Sequence, residues 1–182
     1  GAFSSVTHTS VENSVAKDMP PAETRLMTLV HKDTHLHLPT HGYYRIQKGT
    51  LPGHSIGGDV FLSVYGDCLD EYSQKKIKDD EIIQFNGQEV DLSMTTFEDD
   101  IGEFIVGDDV EEIHAKAVLN TMYLTDSLKK SGCALEPTKE VAVARIFSSH
   151  KEMEVYKQQG VVTDGTKSRT ARYLGSWPQD NN

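Results

Sequence analysis

Four of the chain's eight histidines lie between positions 31 and 41, and their chemistry stands out first. An imidazole titrates near neutral pH, so it can transfer a proton in catalysis or bind a metal through a neutral ring nitrogen. The four residues are His31, His35, His37 and His41. His41 follows a Pro-Thr pair, where we expect a rigid turn to hold the ring and leave it accessible to a substrate.

The segments around these histidines predict a β-hairpin. Residues 25–31 are rich in large apolar and β-forming side chains and are predicted as a strand, and residues 32–34 as a polar turn. Residues 35–38 alternate leucine and histidine with period two, which predicts a second strand with the histidines on one face. Pro39 ends that strand because it has no N–H to donate. His41 is therefore expected just beyond a strand end.

This hairpin and its Leu38-Pro39-Thr40-His41 turn resemble a site in the picornavirus-type 3C-like cysteine proteases. In that family the general-base histidine follows a strand that ends in a leucine-proline-x-histidine turn. The resemblance implies an all-β fold, a chymotrypsin-like pair of antiparallel β-barrels. It also implies that His41 takes and returns a proton while a cysteine thiolate attacks the scissile carbonyl. An ordinary turn histidine is the alternative interpretation.

A second hairpin is predicted further along the chain. Asn86-Gly87 is the strongest short-range hairpin signal in the sequence, and it joins a strand at residues 81–85 to another at residues 88–97. The preceding residues, 75–80, are predicted as a solvated run of charges. The second strand alternates polar and apolar side chains around position 91.

That alternating strand resembles the one that carries the acid of the 3C-like catalytic triad. The resemblance implies that Asp91, 50 residues after His41 (91 − 41), accepts the Nδ1–H of the histidine and fixes its tautomer. Glu89 points the same way on the predicted strand and is the alternative acid. A polar position on an edge strand is the interpretation of Asp91 without catalysis.

The resemblance also requires a nucleophilic cysteine, and Cys133 is the candidate. The family's glycine-x-cysteine-glycine signature, whose glycines shape the oxyanion hole, does not occur in the sequence. Cys133 follows Asp91 by only 42 residues (133 − 91), and Cys68 precedes the acid, which is the wrong order. The alternative interpretation of both cysteines is therefore that each is a small apolar residue of the core. A chain that stops before its nucleophile, with an incomplete second barrel, is a further interpretation.

The predicted function is a viral 3C-like cysteine endopeptidase that processes a polyprotein in the host cytoplasm, or an inactive or truncated form of one. Its partner would be a polypeptide substrate, and no cofactor is predicted. A non-catalytic viral capsid-type β-protein is the alternative, because short strands and acidic loops fit it as well. A metal site is a third interpretation, since histidines spaced two apart share a strand face. Its ligands would come from His31, His35, His37 and His41.

Composition restricts the partners. The chain has 18 basic and 28 acidic residues, a net charge of −10, and no apolar run long enough to span a membrane. Four acidic residues also lie where picornavirus members carry a basic RNA-binding turn, so we expect no tight RNA binding. These residues are Glu98, Asp99, Asp100 and Glu103. Two cysteines in unlike contexts favour a reducing compartment over a disulfide framework.

The sequence predicts three segments. Residues 1–22 are predicted as an N-terminal helix or mobile arm, residues 23–110 as the first β-barrel, and residues 111–182 as a connector and part of the second. Further strands are predicted at residues 59–65, 141–147, 153–159 and 168–174. For residues 113–130 the sequence leaves two interpretations, a helix or a connector followed by a strand.

Overall fold

The computed structural model describes residues 4–50, 56–77, 82–136, 141–148 and 151–159. These residues form four helices: α1 (His8–Asp18), α2 (Pro21–Lys32), α3 (Gly57–Lys75) and α4 (Val110–Lys130). They also form four antiparallel two-stranded hairpins. The strands are β1 (His35–Leu38), β2 (Gly42–Arg45), β3 (Ile82–Phe85), β4 (Gln88–Asp91), β5 (Met94–Phe97), β6 (Asp100–Glu103), β7 (Val141–Ser148) and β8 (Lys151–Gln159).

The predicted all-β, chymotrypsin-like pair of barrels is wrong. Every sheet in the described part of the chain has only two strands, β1–β2, β3–β4, β5–β6 and β7–β8, and none of them closes into a barrel. The main error lies in apolar segments that were interpreted as strands and are helices. The fold is therefore a mixture of helices and small hairpins.

The segment at residues 25–31 is not a strand, because it lies within α2. Pro21 takes the first helical position, where a fixed φ and a missing N–H cost nothing. The following Ala, Glu, Arg, Leu and Met residues are strong helix formers. Met27 and His31, four residues apart, form the buried side of the helix.

The segment at residues 59–65 is likewise helical. Its buried side chains recur at helical spacing through α3, and a window of seven residues is too short to distinguish that spacing from a buried strand. The rings of Phe61 and Tyr65, one turn apart, stack with centroids separated by 5.6 Å. The buried residues of α3 are Gly57, Val60, Phe61, Val64, Tyr65, Cys68 and Tyr72.

The predictions of the Asn-Gly hairpin and of the strands at residues 35–38, 141–147 and 153–159 are confirmed, whereas residues 32–34 do not join two strands, because α2 extends to Lys32. The β3–β4 hairpin turns at Asn86 and Gly87, both with positive φ (51° and 77°), as an Asn-Gly hairpin requires. Residues 35–38 are a strand, although β1 pairs with β2 and not with residues 25–31. The predicted strands at 141–147 and 153–159 are β7 and β8. The long strand predicted at 88–97 is divided into β4 and β5, and residues 168–174 lie outside the described residues.

Contacts divide the chain into two units. Unit 1 comprises residues 1–75 and 124–134, and unit 2 comprises residues 76–123 and 135–182. In unit 1, α1 packs against both α2 and α3, and residues 124–130 of α4 belong to the same unit. The buried apolar residues of this unit include Val6, Val11, Val15, Phe61, Val64, Tyr72 and Leu128.

Helix α4 ends in a turn that ties it to the start of unit 1. The Cys133 N–H donates to the Leu128 carbonyl and the Gly132 N–H to the Lys129 carbonyl, each at 3.0 Å, as in a Schellman motif. Gly132 has a φ of 83°, the left-handed conformation that this motif places on glycine. The Thr7 N–H donates to the carbonyl of Ser131 at 2.8 Å.

No helix in the described ranges combines the length and the apolar character needed to cross a membrane.

Candidate functional site

His41 lies in unit 1, on the exposed turn between β1 and β2. Its backbone N–H donates to the Leu38 carbonyl at 3.0 Å, which closes the turn. Its Nδ1 lies 2.6 Å from the Thr40 hydroxyl. Nδ1 is the atom that a triad carboxylate would engage. The side chain is accessible, as the sequence predicts, and a neighbouring threonine occupies the position expected for the acid.

Asp91 lies at the end of β4 in unit 2, where three polar groups hold its carboxylate. Oδ1 accepts hydrogen bonds from the Ser93 hydroxyl and from the Ser93 N–H, the latter at 2.9 Å. Oδ2 lies 3.1 Å from Nζ of Lys76, whose side chain is only 2% exposed. The hydrogen bonds from Ser93, and then the contact with Lys76, lower the pKa of Asp91 to about 2.

The Asp91 carboxylate therefore neutralises a buried lysine. His41 and Asp91 belong to different units, and a hydrogen bond between their side chains stays a prediction. Glu89, the alternative acid, is exposed on β4 and accepts a hydrogen bond from the Gln84 amide at 3.3 Å. Lys76 itself was predicted to be part of a solvated charge run. Its burial contradicts that prediction.

Cys133 is buried at the end of α4, in unit 1. The Ser5 hydroxyl donates to its Sγ at 3.7 Å. Sγ of Cys68 lies 3.0 Å from the Ser131 hydroxyl, and burial raises the pKa of the Cys68 thiol. Both cysteines are free thiols. Nucleophilic cysteines are partly exposed with a lowered pKa, so these buried positions match structural cysteines.

The four histidines of the opening motif are distributed over two elements. His31 is buried on α2 with Nδ1 2.8 Å from the Met27 carbonyl oxygen, whereas the other three lie on the exposed β1–β2 hairpin. The His37 ring packs on Tyr43 with centroids 4.6 Å apart. Among the residues that the structure describes, no three His, Cys, Asp or Glu side chains are arranged to hold a metal ion by themselves.

The β5–β6 hairpin contains a backbone feature that composition does not reveal. Phe97 pairs with Asp100 across the turn, so Glu98 and Asp99 form its tip. Glu98 has a φ of 54°, in the left-handed region. Asn86 is the other described non-glycine residue with positive φ, and Asn adopts that conformation readily. A glutamate has no such preference, which makes this turn unusual.

Two carboxylates therefore occupy a strained turn, and a third follows it at the start of β6. Glu98, Asp99 and Asp100 are all exposed. Within the described part of the chain, the carboxylates of Glu98 and Asp100 have no hydrogen-bond or ion-pair partner. From the sequence, the acidity of this stretch was used only to predict a lack of tight RNA binding. The left-handed glutamate was not foreseen.

A cleft of about 660 Å³ opens between α1 and α2 in unit 1. One face of α2 lines it with Arg25, Thr28, Leu29 and Lys32, which recur at intervals of three and four residues. This cleft was not predicted from the sequence, because residues 25–31 were interpreted as a strand and Lys32 as part of a polar turn. Comparison of the chain with protein-family models, curated proteins and solved structures finds no match.

Proposed function

We propose that the tip of the β5–β6 hairpin binds a divalent cation together with a phosphate-bearing substrate. The observation that carries the proposal is the left-handed Glu98 at the start of a run of three carboxylates. A left-handed non-glycine residue costs about 1–2 kcal/mol. Such strain is commonly found at functional sites, because there the surrounding structure holds the backbone in a position that the function requires.

The chemistry of the turn suits a hard cation. Mg²⁺ prefers oxygen ligands and is commonly bound through one or two carboxylates, with waters and substrate phosphates completing its octahedron. Asp99 and Asp100 can supply the carboxylates. The described residues contain no set of three ligands that would form a cage without a substrate. A site completed by the substrate is consistent with that arrangement.

Charge explains why the cation and the phosphate would bind together. The chain has a net charge of −10, so a phosphate approaching an acidic turn is repelled unless a cation lies between them. A bound divalent ion would neutralise the carboxylates and bind a phosphoryl oxygen as a Lewis acid. The hairpin would thus contribute position and negative charge, and the ion would join it to the phosphate.

We expect Asp100→Asn to weaken Mn²⁺ binding at least ten-fold, because it removes one anionic ligand of the ion. Mn²⁺ is titrated by calorimetry, with and without ATP, into the unmodified protein and the variant. Glu89→Gln is the matched control, since it removes one exposed carboxylate from a different hairpin of the same unit. Equal weakening in both variants would show that Mn²⁺ only responds to the overall charge.

The 3C-like endopeptidase stays a prediction, as do the capsid-type alternative and the expected lack of tight RNA binding. For the 182-residue chain we expect no measurable cleavage of polyprotein-derived peptides. The reason is that Cys133 is buried, and that Ser131 and Ala134 occupy the two glycine positions of the glycine-x-cysteine-glycine signature. Cys133→Ala is the control. Turnover that is lost in this variant would contradict the expectation and identify Cys133 as the nucleophile.

A further inference from the structure

We infer that the cleft between α1 and α2 binds a small organic phosphate. This inference concerns unit 1 and is independent of the proposed cation site, which lies in unit 2. The volume of about 660 Å³ falls within the range of small-molecule sites. The cleft is built from two packed helices, so its walls are formed by elements with fixed spacing.

Polar and apolar side chains both line the cleft. Helix α2 provides Arg25, Thr28 and Lys32 on successive turns of one face, so their polar groups follow the length of the cleft. Leu29 of α2, Ala16 of α1 and Met19, the residue after α1, add apolar surface. A ligand here would meet cationic and hydroxyl groups together with apolar surface.

The charges of the cleft favour an anion. Its lining contains three cations and two carboxylates in a chain whose overall charge is −10. Nη2 of Arg45 lies 2.7 Å from Oδ1 of Asp33, and Nζ of Lys32 lies 4.0 Å from Oε2 of Glu12. These two pairs leave one cation over.

That remaining cation is Arg25, which has no hydrogen-bond or ion-pair partner among the described residues. A guanidinium presents its N–H groups in a planar fork that matches two phosphate oxygens, and a bidentate pair is stronger than a single hydrogen bond. The position of Arg25 on the first turns of α2 places this fork on the cleft wall.

A second group in the cleft also lacks a partner. The Thr28 hydroxyl is shielded from solvent and forms no hydrogen bond with any described residue. Shielded polar atoms are normally paired, because an unsatisfied donor loses its water without compensation. A phosphate oxygen held by Arg25 would lie one helical turn from this hydroxyl. A small adjustment of the Thr28 rotamer could then direct the hydroxyl to it.

The apolar part of the lining determines the class of phosphate. Met19 and Leu29 line the cleft and give an inorganic ion nothing to contact beyond its charge. An organic group attached to the phosphate would bury its surface against both side chains. The expected ligand is therefore a phosphate monoester with a small apolar or aromatic group.

Phenyl phosphate is the probe, titrated by calorimetry in EDTA so that no divalent ion contributes at the β5–β6 hairpin. We expect saturable binding that is at least ten-fold weaker for inorganic phosphate and at least ten-fold weaker in Arg25→Gln. Lys17→Gln is the matched control, because it removes one exposed cation from α1 outside the cleft lining. Thermal unfolding of both variants verifies that unit 1 is intact.

Absence of saturable binding to the unmodified protein would overturn the inference. Equal weakening by Lys17→Gln and Arg25→Gln would also overturn it, since that result describes nonspecific attraction to surface cations. Equal affinity for phenyl phosphate and inorganic phosphate would contradict the assigned role of Met19 and Leu29. Because divalent ions are absent, none of these results depends on the proposed cation site.

Discussion

Gly132→Ala is expected to lower the free energy of unfolding by about 3 kcal/mol, because the substitution combines an unfavourable backbone conformation with a steric clash. Gly132 has a φ of 83°, where a side chain costs about 1–2 kcal/mol. A Cβ there would lie 2.6 Å from the Ser5 carbonyl oxygen and 2.9 Å from Cγ2 of Thr7. The Ser5 atom belongs to the backbone, so relief requires the chain to move away from the α4 terminus.

Urea denaturation followed by circular dichroism measures this effect, and Gly66→Ala is the control. Gly66 lies within α3, and a Cβ there would meet nothing within 4 Å outside the local helix backbone. Alanine exceeds glycine in helix propensity by about 1 kcal/mol, so this variant is expected to be more stable than the unmodified protein. Equal destabilisation by the two substitutions would refute the assigned conformation of Gly132.

Asp91→Asn is expected to cost about 3 kcal/mol, because it leaves the buried Lys76 ammonium without its carboxylate. The Lys76 side chain is 2% exposed, and its remaining described partner is the Ser93 hydroxyl. Asp91 itself is 34% exposed, but removing its charge alone leaves the buried ammonium uncompensated, which is more costly than removing both charges. The double variant Lys76→Met, Asp91→Asn is therefore expected to recover part of the lost stability.

The same pair predicts a specific acid sensitivity. The folded-state pKa of Asp91 is about 2, below its usual value of 3.8. A depressed carboxyl pKa contributes stability that is fully present above the unfolded-state pKa and is lost as the pH falls through the folded-state value. Wild-type stability should therefore fall between about pH 4 and pH 2, and Asp91→Asn should lack this component.

Asp33→Asn is the control for both measurements. It removes a carboxylate that pairs with Arg45, but both side chains are 54% exposed. Exposed pairs contribute about 0–1 kcal/mol, so this variant is expected to unfold almost as the unmodified protein does. If Asp91→Asn were no more destabilising than Asp33→Asn, Lys76 would have to be solvated in solution.

What the sequence could predict was local. Asn86-Gly87 identifies its hairpin because the left-handed turn depends on those two residues alone. The burial of Lys76 depends on Asp91 and Ser93, which are 15 and 17 residues away (91 − 76 and 93 − 76), and nothing in the surrounding charge run indicates them. A lysine among acids is ordinarily solvated, so the composition of the run predicted the wrong environment.

Helices α2 and α3 were missed for a related reason. The apolar residues of α3 fit both a buried strand and a buried helix over seven positions, and only the recurrence at Cys68 and Tyr72 separates the two. The candidate site was predictable only in part. The acidity of residues 98–100 is evident from the sequence, but the left-handed Glu98 is a property of the folded hairpin. The phosphate cleft requires α1 and α2 to be recognised as packed helices.

The hydrogen bond from Thr7 to Ser131 has a consequence for synthesis on the ribosome. It joins residues 124 positions apart (131 − 7), so the early segment of unit 1 must wait for the end of α4 to be translated. At about 5–20 residues per second this delay is roughly 6–25 s. Throughout that interval the α4 residues of unit 1 have not been synthesised, so the apolar faces of α1 and α3 cannot pack with them. The nascent chain is therefore expected to be a chaperone client until Ser131 emerges.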